Sequence, residues 1–226
     1  YQGTQVALPG DAANAVEAEN LKKQILIDDG STKQNLDPIA YPGTGLDAYN
    51  TLRLGDTVNT ITGVMGYSFD RYRIHPTVQP EFTATNPRTD APELNEDADL
   101  RVASFNVLNY FNGDGQGAGF PTSRGADSEE ELIRQEAKLV SAITAINADV
   151  IGLMEIENDG FGENSAIASL VSALNDEDAE NTYAFVDFGV DQIGTDAITT
   201  ALIYRSNKVS EVGKAAHTTV EPFDYR

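Results

Sequence analysis

The chain of 226 residues contains no cysteine. That excludes a disulfide framework and any thiolate metal site, and it leaves the compartment undecided. Histidine is nearly as scarce. His75 and His217 are the two present, neither lies near a motif, and neither is expected to serve as a general base. No apolar run approaches the roughly 20 residues that span a membrane. No apolar leader segment follows Tyr1, and the first residue is not Met, so the translation start is expected to lie elsewhere. Positive charge is the other shortage. The 15 Lys and Arg face 36 Asp and Glu, a formal charge of −21. The excess is spread, with 15 acids against 7 bases in residues 1–100 and 21 against 8 in residues 101–226. Nucleic-acid binders usually carry a basic footprint. Either bases cluster locally or a metal ion supplies positive charge; otherwise the acidity is a solvated surface suited to a salty or extracellular medium.

What is present divides into three stretches. Residues 1–75 read as a small β domain. Pro9-Gly10-Asp11 is a turn, with Asp11 as N-cap of a helix over Ala12 to Gln24. Ile25 to Ile27 is a short strand closed by a turn at Asp28-Asp-Gly-Ser31. A surface loop covers residues 32–50. A strand is expected to start at Thr51 to Arg53, and Val58–Tyr67 and Arg71–His75 form a hairpin. Short strands with glycine turns suggest an OB-like barrel, incomplete at its start. In the hairpin, Arg71, Arg73 and His75 alternate, and Tyr67, Phe69 and Tyr72 are interleaved. Such a ribbon can stack single-stranded bases; the expectation here is instead that the aromatics fill the barrel core. Residues 76–99, with four prolines and then Glu93, Glu96, Asp97 and Asp99, read as a linker.

Residues 100–226 read as α/β. Leu100–Leu108 and Asp149–Met154 are apolar runs of the buried-strand kind. Between them lie a glycine-rich loop, Phe111–Asp127, and one helix. Ser128 to Glu131 fits a capping box. Leu132, Ile133, Leu139, Val140, Ile143 and Ile146 make an apolar stripe, and Asn147 is a C-terminal cap. Arg134 and Lys138 sit on the other face. A second helix is expected over Ser165–Asn175, then strands over Tyr183–Phe188 and Ala197–Tyr204, and a tail to Arg226. A strand–helix–strand unit sets two strand ends side by side. The first delivers Asn106 and Asn109, and the second delivers Glu155, Glu157 and Asn158. A carboxylate after five buried residues is costly unless it is exposed or neutralised, and a hard divalent cation with oxygen ligands fits it; capping a helix or pairing an arginine fits it as well. Asn106 can orient a phosphate oxygen or satisfy local backbone. Arg205, ending a third strand, can clamp phosphate at the same edge or form a surface ion pair.

Ser104-Phe-Asn-Val-Leu-Asn-Tyr-Phe111, Arg134-Gln-Glu-Ala-Lys138 and Ala148-Asp-Val-Ile-Gly-Leu-Met-Glu-Ile-Glu-Asn158 together resemble the endonuclease/exonuclease/phosphatase (DNase I-like) superfamily. The secreted bacterial branch of ExeM/NucH-type extracellular endonucleases is the most similar. Asp196-Ala-Ile, Ala201-Leu-Ile-Tyr-Arg205 and, upstream, Ile27-Asp-Asp-Gly-Ser31, Leu54-Gly-Asp-Thr57 and Tyr67-Ser-Phe extend the resemblance over nearly the whole chain. It implies the N-terminal part of a four-layer α/β sandwich preceded by the OB-like domain. It implies a metal-dependent phosphodiesterase acting on DNA, with RNA as an open alternative, using Mg²⁺, Mn²⁺ or Ca²⁺. Asn106 and Glu155 match the family's phosphate- and metal-site asparagine and metal-binding glutamate; Arg205, Asn109 and Asn158 are expected to contact substrate. The family's later Asn-x-His, Gly-Asp-x-Asn and Asp-His segments are absent. The chain is therefore expected to be an internal fragment whose site needs the remainder of the same polypeptide. Two alternatives stand beside this: phosphatase or phospholipid phosphodiesterase activity on the same fold, and a non-catalytic acidic binding module.

Overall fold

The computed structural model describes residues 1–33, 38–43, 50–94 and 97–223. Parts of the expected surface loop (34–37, 44–49), linker (95–96) and tail (224–226) lie outside the described residues. The chain is mixed α/β and forms two compact units, Tyr1–Glu93 and Leu94–Arg226. Among the described residues no helix is long and apolar enough to cross a membrane.

The first unit opens with α1 (Gly3–Val6) and α2 (Asp11–Lys23). Gly10, not Asp11, is the N-cap of α2. The chain reverses there at φ 134°, which a residue with a Cβ resists, so Asp11 moves into the first turn. Five short strands follow: β1 (Leu26–Ile27), β2 (Thr57–Val58), β3 (Gly63–Ser68), β4 (Arg71–Pro76) and β5 (Phe82–Thr83). They form one sheet in the order β1-β4-β3 and a separate β2-β5 pair. The β3–β4 hairpin turns through Phe69 and Asp70, both at positive φ, as two-residue hairpin loops require.

Two expectations fail here. No strand forms over Thr51–Arg53, because Asp56 closes a turn on it: Arg53 N–H donates to Asp56 Oδ2 at 2.8 Å. The expected linker also begins too early. Pro76 ends β4, β5 pairs with β2, and the N–H groups of Thr85 and Asn86 donate to Asp56 Oδ1 at 3.1 and 3.2 Å. Prolines at 76 and 80 did not prevent this because β5 is two residues long and needs few ladder bonds.

The second unit runs β6 (Val102–Tyr110), α3 (Glu129–Ile146), β7 (Val150–Glu157), α4 (Ala166–Glu177), β8 (Tyr183–Phe185) and β9 (Ile198–Arg205). Its sheet has the order β6-β7-β9-β8. The α3 crossover makes β6 and β7 parallel; β9 is antiparallel to both neighbours. Ser128 caps α3, its Oγ accepting from Glu131 N–H at 3.3 Å. The reciprocal arm of the box is displaced by one residue, since Glu131 Oε2 accepts from Asp127 N–H at 2.9 Å. Ser165 caps α4 in the same way. Both helices cover one sheet face. Val107, Tyr110, Ile151, Leu153, Ile156, Ala201 and Ile203 meet Leu139, Val140, Ile143, Ile167, Leu170 and Leu174 in one core. Ile133, expected inward, is 58% exposed: Leu132 packs against the core, and the next residue is turned about 100° away from it. On the other sheet face Val102 and Leu202 stay in solvent, with Ser104, Asn106 and Thr200.

Asn147 ends α3 in the left-handed region, φ 54°, its N–H bonding Ile143 O. Glycine and asparagine tolerate that conformation and β-branched residues resist it. Asn147→Gly is expected to leave the melting temperature near that of the parent, and Asn147→Val to cost about 1–2 kcal/mol, measured by urea unfolding.

Candidate functional site

The parallel β6–β7 pair loses its regular ladder at its C-terminal end. Asn106 stands opposite Met154, and the next aligned pair is Tyr110 with Ile156. β6 therefore spends four residues where β7 spends two. Against β9, the pairs Met154–Thr200 and Ile156–Thr199 leave Glu155 as the extra residue of a bulge. The backbone carries the strain: Leu108, Asn109 and Glu155 all have positive φ, at 58°, 51° and 65°. Non-glycine residues adopt this region at a cost of about 1–3 kcal/mol each, and such positions concentrate at functional sites.

Asn106, Asn109 and Glu155 lie at this irregularity, and a hydrogen bond joins the last two. Asn109 N–H donates to Glu155 Oε2 at 3.2 Å. Asn106 Oδ1 accepts from Leu108 N–H at 2.8 Å, and no described group accepts from its Nδ2. Glu155 is half-buried and has no Lys or Arg within ion-pair distance among the described residues. The helix packed below holds the bulge in place. Gln135 Nε2 donates to Val107 O at 3.0 Å and Leu108 O at 2.8 Å, and the buried Tyr110 hydroxyl donates to Glu136. Burial and the Glu136 carboxylate raise the Tyr110 hydroxyl well above its ordinary pKa, so it stays a donor.

Arg205 is not at this rim. β9 runs antiparallel to β7, so its C-terminal end lies beside the start of β7: Tyr204 pairs with Val150. Five residue steps of strand, about 17 Å, separate that point from Glu155. Arg205 is 2% exposed, with Nη1 3.5 Å from Asp149 Oδ1 and Nε and Nη2 on the Tyr183 hydroxyl at 3.4 and 3.3 Å. It is a structural ion pair, not a phosphate clamp. Asn158 is likewise spent: its Nδ2 donates to Ile193 O and Asp196 O, and its Oδ1 accepts from Ile193 N–H. It pins the loop before β9 and offers nothing to substrate. Arg134 forms an ordinary helix-surface pair with Glu131 at 3.8 Å.

Asn112, Glu157 and Asp159 adjoin the rim and were not singled out as site residues from sequence, apart from Glu157's place at the strand end. The buried Asn112 donates its N–H to Glu157 Oε2 at 3.2 Å and its Nδ2 to Asn164 O and Ser169 Oγ. Burial, then the charge on Asp159, lifts the Glu157 carboxyl to about 7. A carboxyl whose folded pKa exceeds its unfolded value binds a proton on folding, so stability falls as pH rises between about 4.5 and about 7. Glu157→Gln is expected to remove that slope, gaining on the order of 1 kcal/mol over the parent at pH 7.5 relative to pH 5 after discounting for the solvent-reached half of the side chain. Chemical denaturation in EDTA at the two pH values measures it.

The model of a family described as a domain of unknown function (DUF8508) matches residues 1–87. That span lies in the first unit and stops short of Asn106 and Glu155. No curated protein and no solved structure matches the chain.

Proposed function

We propose that the second unit is the first half of a metal-dependent phosphodiesterase of the endonuclease/exonuclease/phosphatase kind, and that the polypeptide carrying it is secreted and hydrolyses DNA or RNA. The observation that carries this is the strained rim of β6 and β7, where Asn109 ties Glu155 beside Asn106. Mg²⁺ is commonly held by one or two carboxylates, with water and phosphate completing its shell. Glu155 fits that role: half-buried, uncompensated by a basic side chain among the described residues, with one carboxylate oxygen tied and one spare. No group of three acidic or histidine side chains that could hold a metal occurs among the described residues, so Glu155 would hold the ion with few protein partners. When bound, the cation polarises a phosphate oxygen. Asn106, with its Oδ1 occupied by Leu108, is left to donate from Nδ2 to phosphate, and the Asn109 N–H orients the glutamate. Water activation falls to histidine and aspartate segments that these residues do not contain.

The uncovered sheet face supports the sandwich half of the proposal. Val102 and Leu202 sit where a second sheet, packed about 10 Å away, would bury them. Five short strands, the number in an OB-like domain, occur among the described residues of the first unit, in one three-stranded sheet and one pair. Calorimetric titration of the chain with Mg²⁺, Mn²⁺ or Ca²⁺ is expected to show binding that Glu155→Gln abolishes. Undiminished binding by that variant, or none by the parent, removes the role given to Glu155.

A second reading keeps the rim and changes the substrate to a phospholipid or sugar phosphate. It is favoured by one observation: residues 94–226 hold 24 acids and 8 bases, a poor surface for a polyanion. A parallel assay of DNA, sphingomyelin and phosphate monoesters separates the two.

A further inference from the structure

We propose that the β3–β4 hairpin is a stacking surface for single-stranded nucleic acid, with Tyr67 and Tyr72 taking bases and Arg71 a phosphate. The expectation that these aromatics fill a core does not hold. Tyr67 is 60% exposed, Tyr72 63% and the turn residue Phe69 89%, and Val64 and Met65 are also more than half exposed. Scattered apolar residues on a surface need no explanation, but Met65, Tyr67 and Tyr72 share one face of the hairpin and make a patch of the kind that marks a binding site. Tyr67 and Tyr72 are register partners on one face, with Met65 and Ile74 next along it. Their ring centroids are 4.8 Å apart and tilted by 58°, so each ring keeps one side open. Neither hydroxyl has a partner among the described residues.

Charge selects the occupant. The hairpin carries Arg71 and Arg73 against one acid, Asp70, in a chain with 36 acids. Arg73 is committed, with Nη1 2.5 Å from Asp28 Oδ2 and its guanidinium 5.6 Å over the Phe69 ring. Arg71 has no ion pair among the described residues. It pairs with Ser68 and leaves β4 on the face opposite Tyr67 and Tyr72, but it shares with Tyr72 a cleft of about 250 Å³ that Asp70, Leu21, Gln24 and Leu26 also line. A guanidinium with no ion pair among the described residues, at a cleft one residue from an exposed ring, suits the phosphate next to a stacked base. β3 is the edge of its sheet among the described residues, which leaves one side of the hairpin unpaired. Paired bases present no open face to such rings, which makes the partner single-stranded. The proposal goes beyond the hydrolase reading and holds whether or not the second unit cuts phosphodiesters.

The test is fluorescence anisotropy of a labelled oligo(dT) with the intact chain, in EDTA to prevent cleavage, at about 50 mM salt. Binding is expected. Tyr67→Ala and Tyr72→Ala should each weaken it about tenfold, and Tyr72→Phe should retain it, since stacking needs the ring and not the hydroxyl. Arg71→Ala should weaken it several-fold and lower the salt slope by about 0.7. Leu54→Ala, at an exposed apolar residue outside the hairpin (93% exposed), should change nothing. The chain has no tryptophan, so emission from Tyr72→Trp should be quenched by the oligonucleotide, which reports stacking even if an alanine variant folds poorly. No binding, equal affinity for duplex, parental affinity in both alanine variants, or hairpin-dependent capture of an oligosaccharide instead would overturn the proposal.

Discussion

In the polypeptide that carries the complete domain, Glu155→Ala is expected to lower kcat/KM for DNA by at least about 10³, the loss of several kcal/mol of cation-mediated stabilisation. Glu155→Gln should lose nearly as much, because it keeps the shape and the Asn109 contact but removes the charge. Asn106→Ala should lose about 10², the typical effect of deleting one donor to a charged oxygen. Removing metal with EDTA should abolish cleavage, and the Glu155→Gln protein should be insensitive to added Mg²⁺. The measurement is steady-state cleavage of a quenched oligonucleotide, with circular dichroism confirming that each variant folds. Cleavage by Glu155→Gln within threefold of the parent, or full activity in excess chelator, ends the metal reading.

The second large effect concerns stability at the opposite end of the sheet. Arg205→Ala is expected to cost about 3–5 kcal/mol, because it empties a buried site packed against Tyr183 and leaves Asp149 with only Lys208 and the Arg101 N–H. Asp149 is 8% exposed and is held by Arg101 N–H at 3.0 Å, with Lys208 Nζ 3.3 Å from Oδ1. The Arg101 N–H first, then Lys208 and Arg205, hold its carboxyl below the usual 3.8. A depressed carboxyl contributes stability above its unfolded pKa and loses it as pH falls through the folded value. The Arg205→Ala midpoint of acid unfolding should therefore move to higher pH. Replacing both partners, Arg205→Met with Asp149→Asn, should recover part of the loss, since it refills the site and removes the charge left under-paired. Denaturant titration of the parent, Arg205→Met, Asp149→Asn and the double variant closes the cycle. A single-mutant cost below 1 kcal/mol would show that the pair is not the anchor of that end.

The periodic parts of the chain were legible before any coordinates. The α3 stripe, its Ser128 and Asn147 caps, and the order strand, helix, strand follow from spacing and local chemistry. The pairing of Asn106 with the neighbourhood of Glu155 also followed, because a crossover helix forces parallel strands. Three things could not be read. The direction of β9 depends on which neighbour it pairs with, and an antiparallel pairing sends Arg205 to the far rim. The bulge at Glu155 leaves no mark in an apolar run, since Met154-Glu155-Ile156 continues β7 in pattern while breaking it in register. Asn158 gave the signature of a ligand-facing amide, yet a buried asparagine satisfies loop backbone equally well. In the first unit, aromatic residues in alternation looked like core because burial is their usual fate; the small two- and three-stranded sheets leave them nothing to pack under.

Gln135 grips the two carbonyls at the turn of β6, and its neighbour Glu136 holds Tyr110 just beyond. Helix and rim therefore behave as handle and jaw. The same stretch of β6 carries Asn109, whose N–H steadies Glu155. A ligand or partner that pressed on the outer side of that helix would therefore be felt at Glu155.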